Sequence, residues 1–446
     1  MKKDKAIVSI LLVVLILAGW FSAIFSSGVM VDQSYEEKLA EAADYESRGL
    51  YQRAVKAYDE ALAIKDSKAV RWAQLKDYHA RYKEDKRIYT AYLAAANEAV
   101  TRYPKSPTLA RTLAYLYEKN KDYDSAYKTL NKAVKAGVKD EKVMEKYYKV
   151  KYGYDMSWES YDDYRTYSNG YYAVATGDVW SYIKADGTSS KVQTLTFASS
   201  AGENGTRVMC GEEGGELVDA DDVILGRIDF VPEDAALYAE GFVALSQGGK
   251  YQVYNSLGDA VFGDYTDCGA FCEGELAVED SSGWHFVDYE GNPIPETPGY
   301  SDIVLNFRGM HIFGDVMTAA KGDKYALFNK KGEQIGDFTC DGMDAYHGEA
   351  IAYQSGGKWG FVNEKGEVII EPQYEDAQSF SNGLAAVCVG GKWGFIDTDG
   401  TMVIEPQFGD ADYFSDQGCC MVLNESGKYQ LLKLHVWNRG IGGLLG

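Results

Sequence analysis

Lys358-Trp359-Gly360-Phe361-Val362-Asn363-Glu364-Lys365-Gly366-Glu367-Val368-Ile369-Ile370-Glu371-Pro372-Gln373-Tyr374 returns 34 residues later as Lys392-Trp393-Gly394-Phe395-Ile396-Asp397-Thr398-Asp399-Gly400, ending Ile404-Glu405-Pro406-Gln407-Phe408. Self-similarity at a fixed period marks an array of one supersecondary unit. In the second copy Leu384 to Val389 reads as an apolar strand, Gly390-Gly391 as a tight turn and Lys392 to Asp397 as a second strand. Thr398-Asp399-Gly400 reads as another turn, and Met402 to Glu405 as a third strand ended by Pro406. Gly-Gly and Asp-Gly supply the positive φ that two-residue hairpin turns require. Trp393 and Phe395 fall on one face of their strand, and Gly394, with no side chain, suits close approach by a neighbour.

These residues, with the following Asp410-Ala411-Asp412-Tyr413-Phe414-Ser415, resemble the WG repeat family of bacterial proteins, most clearly over 348–415. Looser copies run across the region. Their aromatics are Trp180, Tyr251, Trp284, Tyr325 and Tyr429, beside Trp359 and Trp393, and a copy near Val208–Gly226 carries Leu217 at the aromatic position. That makes eight hairpins at intervals of roughly 33–41 residues, with the recurring aromatics expected as buried packing residues between units. Small antiparallel units repeated this often must hide their edges, either radially or along a solenoid. Tyr161 to Tyr167 echoes the last element of a unit, and the final unit stops after its hairpin near Leu434. The expectation is a β-propeller of seven or eight blades, with an open β-solenoid as the alternative.

From Ser34 to about Gly153 the apolar spacing is helical. Gly49, Tyr51, Ala54, Tyr58, Ala61 and Leu62 place small and aromatic residues at helix-contact spacing, and Tyr123, Ala126, Leu130, Ala133 and Val134 repeat the frame. This resembles the tetratricopeptide repeat, in units of about 35–68, 73–106 and 107–140, followed by a capping helix to about Tyr152. The resemblance implies a partner-binding concave face lined by Gln74, Asp77, Arg81, Glu84, Arg111, Tyr115 and Glu118. A spacer that only lifts the outer domain is the other reading.

Lys2, Lys3 and Lys5 precede an apolar run from Ala6 to Phe25, about the length that crosses a bilayer core, and basic residues before it orient the N-terminus inward. The expected layout is a cytoplasmic tip (1–5), a transmembrane anchor (6–27), helical repeats (34–153), a WG-repeat β domain (158–435) and a tail (436–446). The localisation that follows is a single-pass cell-membrane protein with its bulk extracytoplasmic; a cleaved signal peptide is the alternative. The net charge of −22 divides unevenly: 34–156 holds 25 basic and 19 acidic residues, +6, and 157–446 holds 17 and 46, −29. So acidic an outer domain argues against nucleic acid or anionic lipid head groups as its ligand. All seven cysteines lie from Cys210 onward in apolar contexts, an odd number without a disulfide framework, although Cys268 and Cys272 leave one local bridge open.

None of the five histidines, His79, His285, His311, His347 and His435, stands in a catalytic or zinc spacing, and no nucleophile elbow or phosphate loop occurs. Asp219-Ala220-Asp221-Asp222 lacks the glycine and distal glutamate of a calcium loop. The expectation is therefore a non-enzymatic, membrane-anchored interaction scaffold with a protein partner, no cofactor, no metal and no catalytic residue. A glycan-binding module, or a carbohydrate-active or cell-wall enzyme with its site in the β-array channel, is the alternative.

Overall fold

The computed structural model describes residues 30–189, 194–295 and 299–437. The chain divides into two compact units, with the boundary in sequence between Lys151 and Tyr152.

The first unit is helical. Residues 30–47 form α1, followed by α2 (Tyr51–Ile64), α3 (Lys68–Glu84), α4 (Tyr89–Arg102), α5 (Pro107–Lys119), α6 (Tyr123–Lys135) and α7 (Glu141–Lys151). Pro107 opens α5, where its missing N–H costs nothing. The Asp122 carboxylate caps α6 by accepting from the Ser125 N–H. Ala54, Ala57 and Ala61 on α2, and Ala126, Leu130 and Ala133 on α6, are buried at turn spacing, so small side chains let adjacent helices approach.

The second unit contains, among the described residues, eight small antiparallel sheets. In chain order sheets I to VII span 163–184, 197–228, 234–265, 267–287, 302–328, 342–374 and 376–408. Sheet VIII joins Cys419–Leu423 and Tyr429–Leu434 to Tyr154–Met156 from the start of the unit. Each apolar core lies between consecutive sheets, as where Ala352 and Phe361 of sheet VI meet Ala385, Val387 and Ile396 of sheet VII. The series closes on itself: Tyr172, Val174 and Ile183 of sheet I, with Tyr161 just before it, share a core with Cys419, Met421 and Leu431 of sheet VIII. The arrangement is a closed, propeller-like ring.

Local chemistry repeats around it. Gly390 (φ 62°) and Gly391 (φ 70°) turn the sheet VII hairpin, and both oxygens of Glu375 accept their N–H groups at 3.0 and 2.8 Å. Glu233 does the same for Gly248 and Gly249, and Asp341 for Gly356. A carboxylate at the head of each of these units therefore ties down a hairpin about 15 residues further on.

The fold class read from the sequence needs correction. Among the described residues no helix is long and apolar enough to cross a membrane, and the span expected over 6–27, with its flanking tip, lies outside them. What the chain has is a helical N-terminal region followed by many small antiparallel sheets. Three details also change. Pro406 does not end its strand, which runs Met402–Phe408; the register slips between Trp393 and Phe395, and proline is tolerated at such a bulge. Leu217 is not at the tryptophan position: Leu217 pairs with Val208 as Phe395 pairs with Ala386, and Gly215 stands where Trp393 does. Trp359 and Trp393, two residues past the turn glycines, are half-buried, and the fully buried aromatics of these strands are Phe361 and Phe395. All seven cysteines are free thiols.

The bulge explains the Trp-Gly pair. A Cβ on Gly394 would lie 2.5 Å from the Ile404 carbonyl oxygen and 2.7 Å from the Pro406 nitrogen, and Gly360 meets the same atoms of Ile370 and Pro372 at 2.4 and 2.7 Å. In sheet III the first strand of this pair carries Gln252, and the glycine has moved to its partner, Gly263, where a Cβ would lie 2.6 Å from Gln252 Cα. Gly394→Ala should therefore destabilise the chain by about 1–3 kcal/mol through overpacking, read as a lower urea midpoint. A midpoint equal to the parent's would show that the outer strand does not ride over this position.

Candidate functional sites

In the helical unit, α3, α5 and α7 present one face each to a cleft of about 660 Å3. Trp72, Lys76 and His79 come from α3, Arg111 and Tyr115 from α5, and Lys142, Lys146 and Lys149 from α7, each set at the spacing that shares a helix face. Tyr92, fully buried and stacked on Tyr78 at 5.7 Å, makes the floor with His79, whose ring edge meets Tyr115 at 5.8 Å. Burial, then Lys83 and Lys86, hold His79 below the usual imidazole range. Lys146 is paired with Glu118 at the rim. The Arg111 Nε is buried and, among the described residues, has no hydrogen-bond partner.

Of the residues expected on a concave face, Arg111 and Tyr115 line this cleft and Glu118 edges it, whereas Arg81 and Glu84 do not line it. Gln74 and Asp77 are buried elsewhere: Gln74 donates to Asp59 at 2.6 Å, and burial followed by the Glu46 carboxylate pushes Asp77 up to about 7. The lysines of α7 were legible as an i, i+4, i+7 set, but a capping helix gave no reason to look for a cleft wall there.

In the ring, first strands of sheets that are not neighbours touch. Arg165 of sheet I pairs with Asp234 of sheet III at 2.8 Å. The Tyr413 hydroxyl, just before sheet VIII, donates to Asp344 beside sheet VI at 2.7 Å. These strands therefore face a common axis, and aspartates recur on them. Asp267 is raised by burial and then by the charges of Glu279, Asp234 and Asp302; Asp376 is raised by burial and then by Asp344 and Asp410. Where the recurring aromatic is tyrosine, its hydroxyl donates to the aspartate at the head of its own unit: Tyr251 to Asp234, Tyr325 to Asp302, and Tyr429 to Asp410 just before sheet VIII. Trp180 lies against the Arg165 guanidinium, 5.5 Å from its centre, and Trp284 is buried beside Tyr300. Among the described residues no three His, Cys, Asp or Glu side chains are placed to hold a metal ion.

A funnel of about 770 Å3 opens where the first strands run out into their turns. Its floor is made by the one unit whose loop is longer than the rest: residues 305–312 stand where sheet VII has only Ser379 and Phe380. Asn306 closes that insertion into a turn, its Oδ1 accepting from the Arg308 and Met310 N–H groups at 2.9 and 3.2 Å. The turn delivers Phe307 to within 4.7 Å of the His347 ring and 5.7 Å of Tyr413, which is itself 4.7 Å from His347. Burial and then Arg308, acting against Asp344, push His347 down to about 4. Near neutral pH its ring is uncharged. Sequence reading set His347 aside for lack of a motif; the interrupted period between Ile303 and Val316 was the available signal.

Residues 359–393 and 393–429 match the family model of the WG containing repeat. No curated protein matches the chain. Among solved structures, one titled as a eukaryotic initiation factor is 12% identical, covering 58% of this chain and 79% of its own, with a TM-score of 0.41. KlHsv2 with loop 6CD replaced by a Gly-Ser linker is 11% identical over 61% and 98%, TM-score 0.34, and the Neurospora crassa Pan2 WD40 domain 9% over 54% and 89%, TM-score 0.33. All three scores are below 0.5, and nothing about this chain rests on them.

The axis carries a titration of its own. Asp412 is buried, its Oδ1 accepting from the Tyr413 N–H at 2.8 Å and the Thr166 hydroxyl at 3.3 Å, and its Oδ2 has no partner among the described residues. Burial raises it from 3.8 to about 7. Between those values the folded chain keeps a proton that the unfolded chain has released, so stability falls as pH rises through this window. Asp412→Asn, whose amide oxygen accepts the same two bonds, should match the parent near the acid end and exceed it above neutrality, by roughly 4 kcal/mol. Melting curves across pH check this, and parallel profiles for the two proteins would contradict it.

Proposed function

We propose that the chain is a non-catalytic interaction scaffold whose helical cleft receives an acidic segment of a partner protein. The observation that carries this reading is the cleft itself. Lys76, Arg111, Lys142 and Lys149 stand over a floor of Tyr92, Tyr115 and His79, with Glu145 as the one carboxylate among its lining residues. The exposed parts of Trp72, His79 and Tyr115 supply aromatic contact area at low entropic cost, and cations around them select carboxylates. The Arg111 Nε, buried without a partner, is a donor that a ligand carboxylate would satisfy. The cleft lies wholly within residues 72–149, so this reading does not depend on the opening residues.

A fluorescein-labelled oligoglutamate peptide is the direct probe, followed by anisotropy with the full-length chain. The expected result is saturable binding that weakens with salt, as screening shortens the Debye length to about 3 Å at 1 M. Arg111→Glu should weaken binding by about 30-fold or more at unchanged melting temperature, since it replaces a charge-assisted bond worth about 2 kcal/mol with repulsion. Equal binding by parent and variant would overturn the assignment.

A further inference from the structure

We infer that the funnel of the ring is a second, separate binding site, and that its ligand is a neutral hexopyranose unit of a glycan. It goes beyond the interaction proposed for the helical cleft and shares no residue with it.

The repeat itself accounts for most of the rim. Asn169-Gly170, Asn204-Gly205 and Asn382-Gly383 are turns that recur with the unit, and they hand each sheet to its neighbour: Asn169 Nδ2 donates to the Ala201 carbonyl and Asn382 Nδ2 to that of Phe414. The framework does not account for Phe307. Six extra residues place it on His347 and Tyr413, making a three-ring platform at the foot of a cavity of about 770 Å3. Small-ligand sites fall between about 300 and 1,000 Å3. An aromatic kept partly exposed at the base of a polar cavity offers a flat apolar face for stacking.

The surrounding chemistry selects what stacks. The Asn169 and Asn382 amides donate through Nδ2 and so keep their Oδ1 carbonyls as acceptors, while Asn204, Ser381 and Gln417 add further neutral polar groups to the lining. Alternating donors and acceptors around an apolar face are the complement of a sugar ring, which is apolar on its faces and hydroxylated around its edge. His347, held uncharged by burial, adds no charge to the platform, and its buried Nε2 has no hydrogen-bond partner among the described residues. Arg308, whose guanidinium lies 5.7 Å from the centre of the Phe307 ring, is the one Lys or Arg among the lining residues, which also include Glu349 and Asp416, in a domain whose residues 157–446 carry a net charge of −29. That field disfavours nucleotides, nucleic acid and anionic sugars, which leaves a neutral one.

The test uses saturation-transfer NMR on the full-length chain with cellotriose, N,N′,N″-triacetylchitotriose and maltotriose as neutral probes, trigalacturonate as the charged one, and the oligoglutamate peptide as a protein-like competitor. At least one neutral trisaccharide should receive saturation, trigalacturonate and the peptide should not displace it, and Phe307→Ala should weaken it about tenfold, the loss of one stacking contact. Phe307→Trp guards against a folding defect: it should retain binding, and the new indole's emission should change on adding the sugar. The inference fails if no neutral trisaccharide receives saturation, if Phe307→Ala binds as the parent does, or if trigalacturonate or the peptide takes the site instead. Arg111→Glu should leave sugar binding unchanged, so failure of the cleft reading and failure of this one are distinguishable.

Discussion

Everything in the β unit depends on one pairing between distant parts of the chain. Tyr154, Asp155 and Met156 lie antiparallel to Leu434, Lys433 and Leu432, the Ser157 N–H donates to the Leu431 carbonyl at 2.8 Å, and Tyr161 and Tyr429 exchange both backbone bonds at 2.9 Å. Each sheet is too small to hold a core alone, and each core is shared by two neighbours. An open row would leave its two end sheets with a bare face and an unpaired edge. Closure removes both: Tyr172 of sheet I is fully buried and donates to the Cys419 carbonyl of sheet VIII at 3.2 Å.

Given closure, repetition takes care of the framework and leaves function to the exceptions. Turn carboxylates such as Glu375 and close-approach glycines such as Gly394 occur because every unit faces the same local problem. Their aspartates and tyrosines, though polar and numerous, are largely occupied by one another around the axis. The 305–312 insertion is anchored on sheet IV, by Leu305 and Ile312 in their shared core and by the Gly309 carbonyl accepting from the Ala270 N–H at 2.7 Å, and it is what furnishes the funnel with Phe307. In the helical unit small buried residues and the core tyrosine Tyr92 build the stack, and the cleft adds the basic residues of α3, α5 and α7 around it.

How much of this the sequence carried depends on whether a residue's role is local. The hairpins around Gly390-Gly391 and the helical spacing of Ala126, Leu130 and Ala133 are local, and could be read directly. Pro406 misled because a bulge, set by the neighbouring strand, decides whether proline ends a strand. Leu217 was misplaced because register, and not spacing to a turn, fixes which residue faces the core. Gln74 and Asp77 were put on an open face although polar residues on one helix can be buried against the next, at the cost of raising a carboxyl to about 7. The funnel was illegible for the same reason: Phe307, His347 and Tyr413 lie far apart in sequence and meet only because the ring brings their units to one axis.

Hydrogen–deuterium exchange on the closing strands tests the central claim most directly. If the ring is held by its first strand, the amides of Ser157, Tyr161, Tyr429 and His435, which donate across the closing pairing, exchange as slowly as those of Leu384–Val389 inside sheet VII, because they open only when the whole unit does. Rapid exchange at those four amides, as at a frayed terminus, with sheet VII still protected, would contradict it.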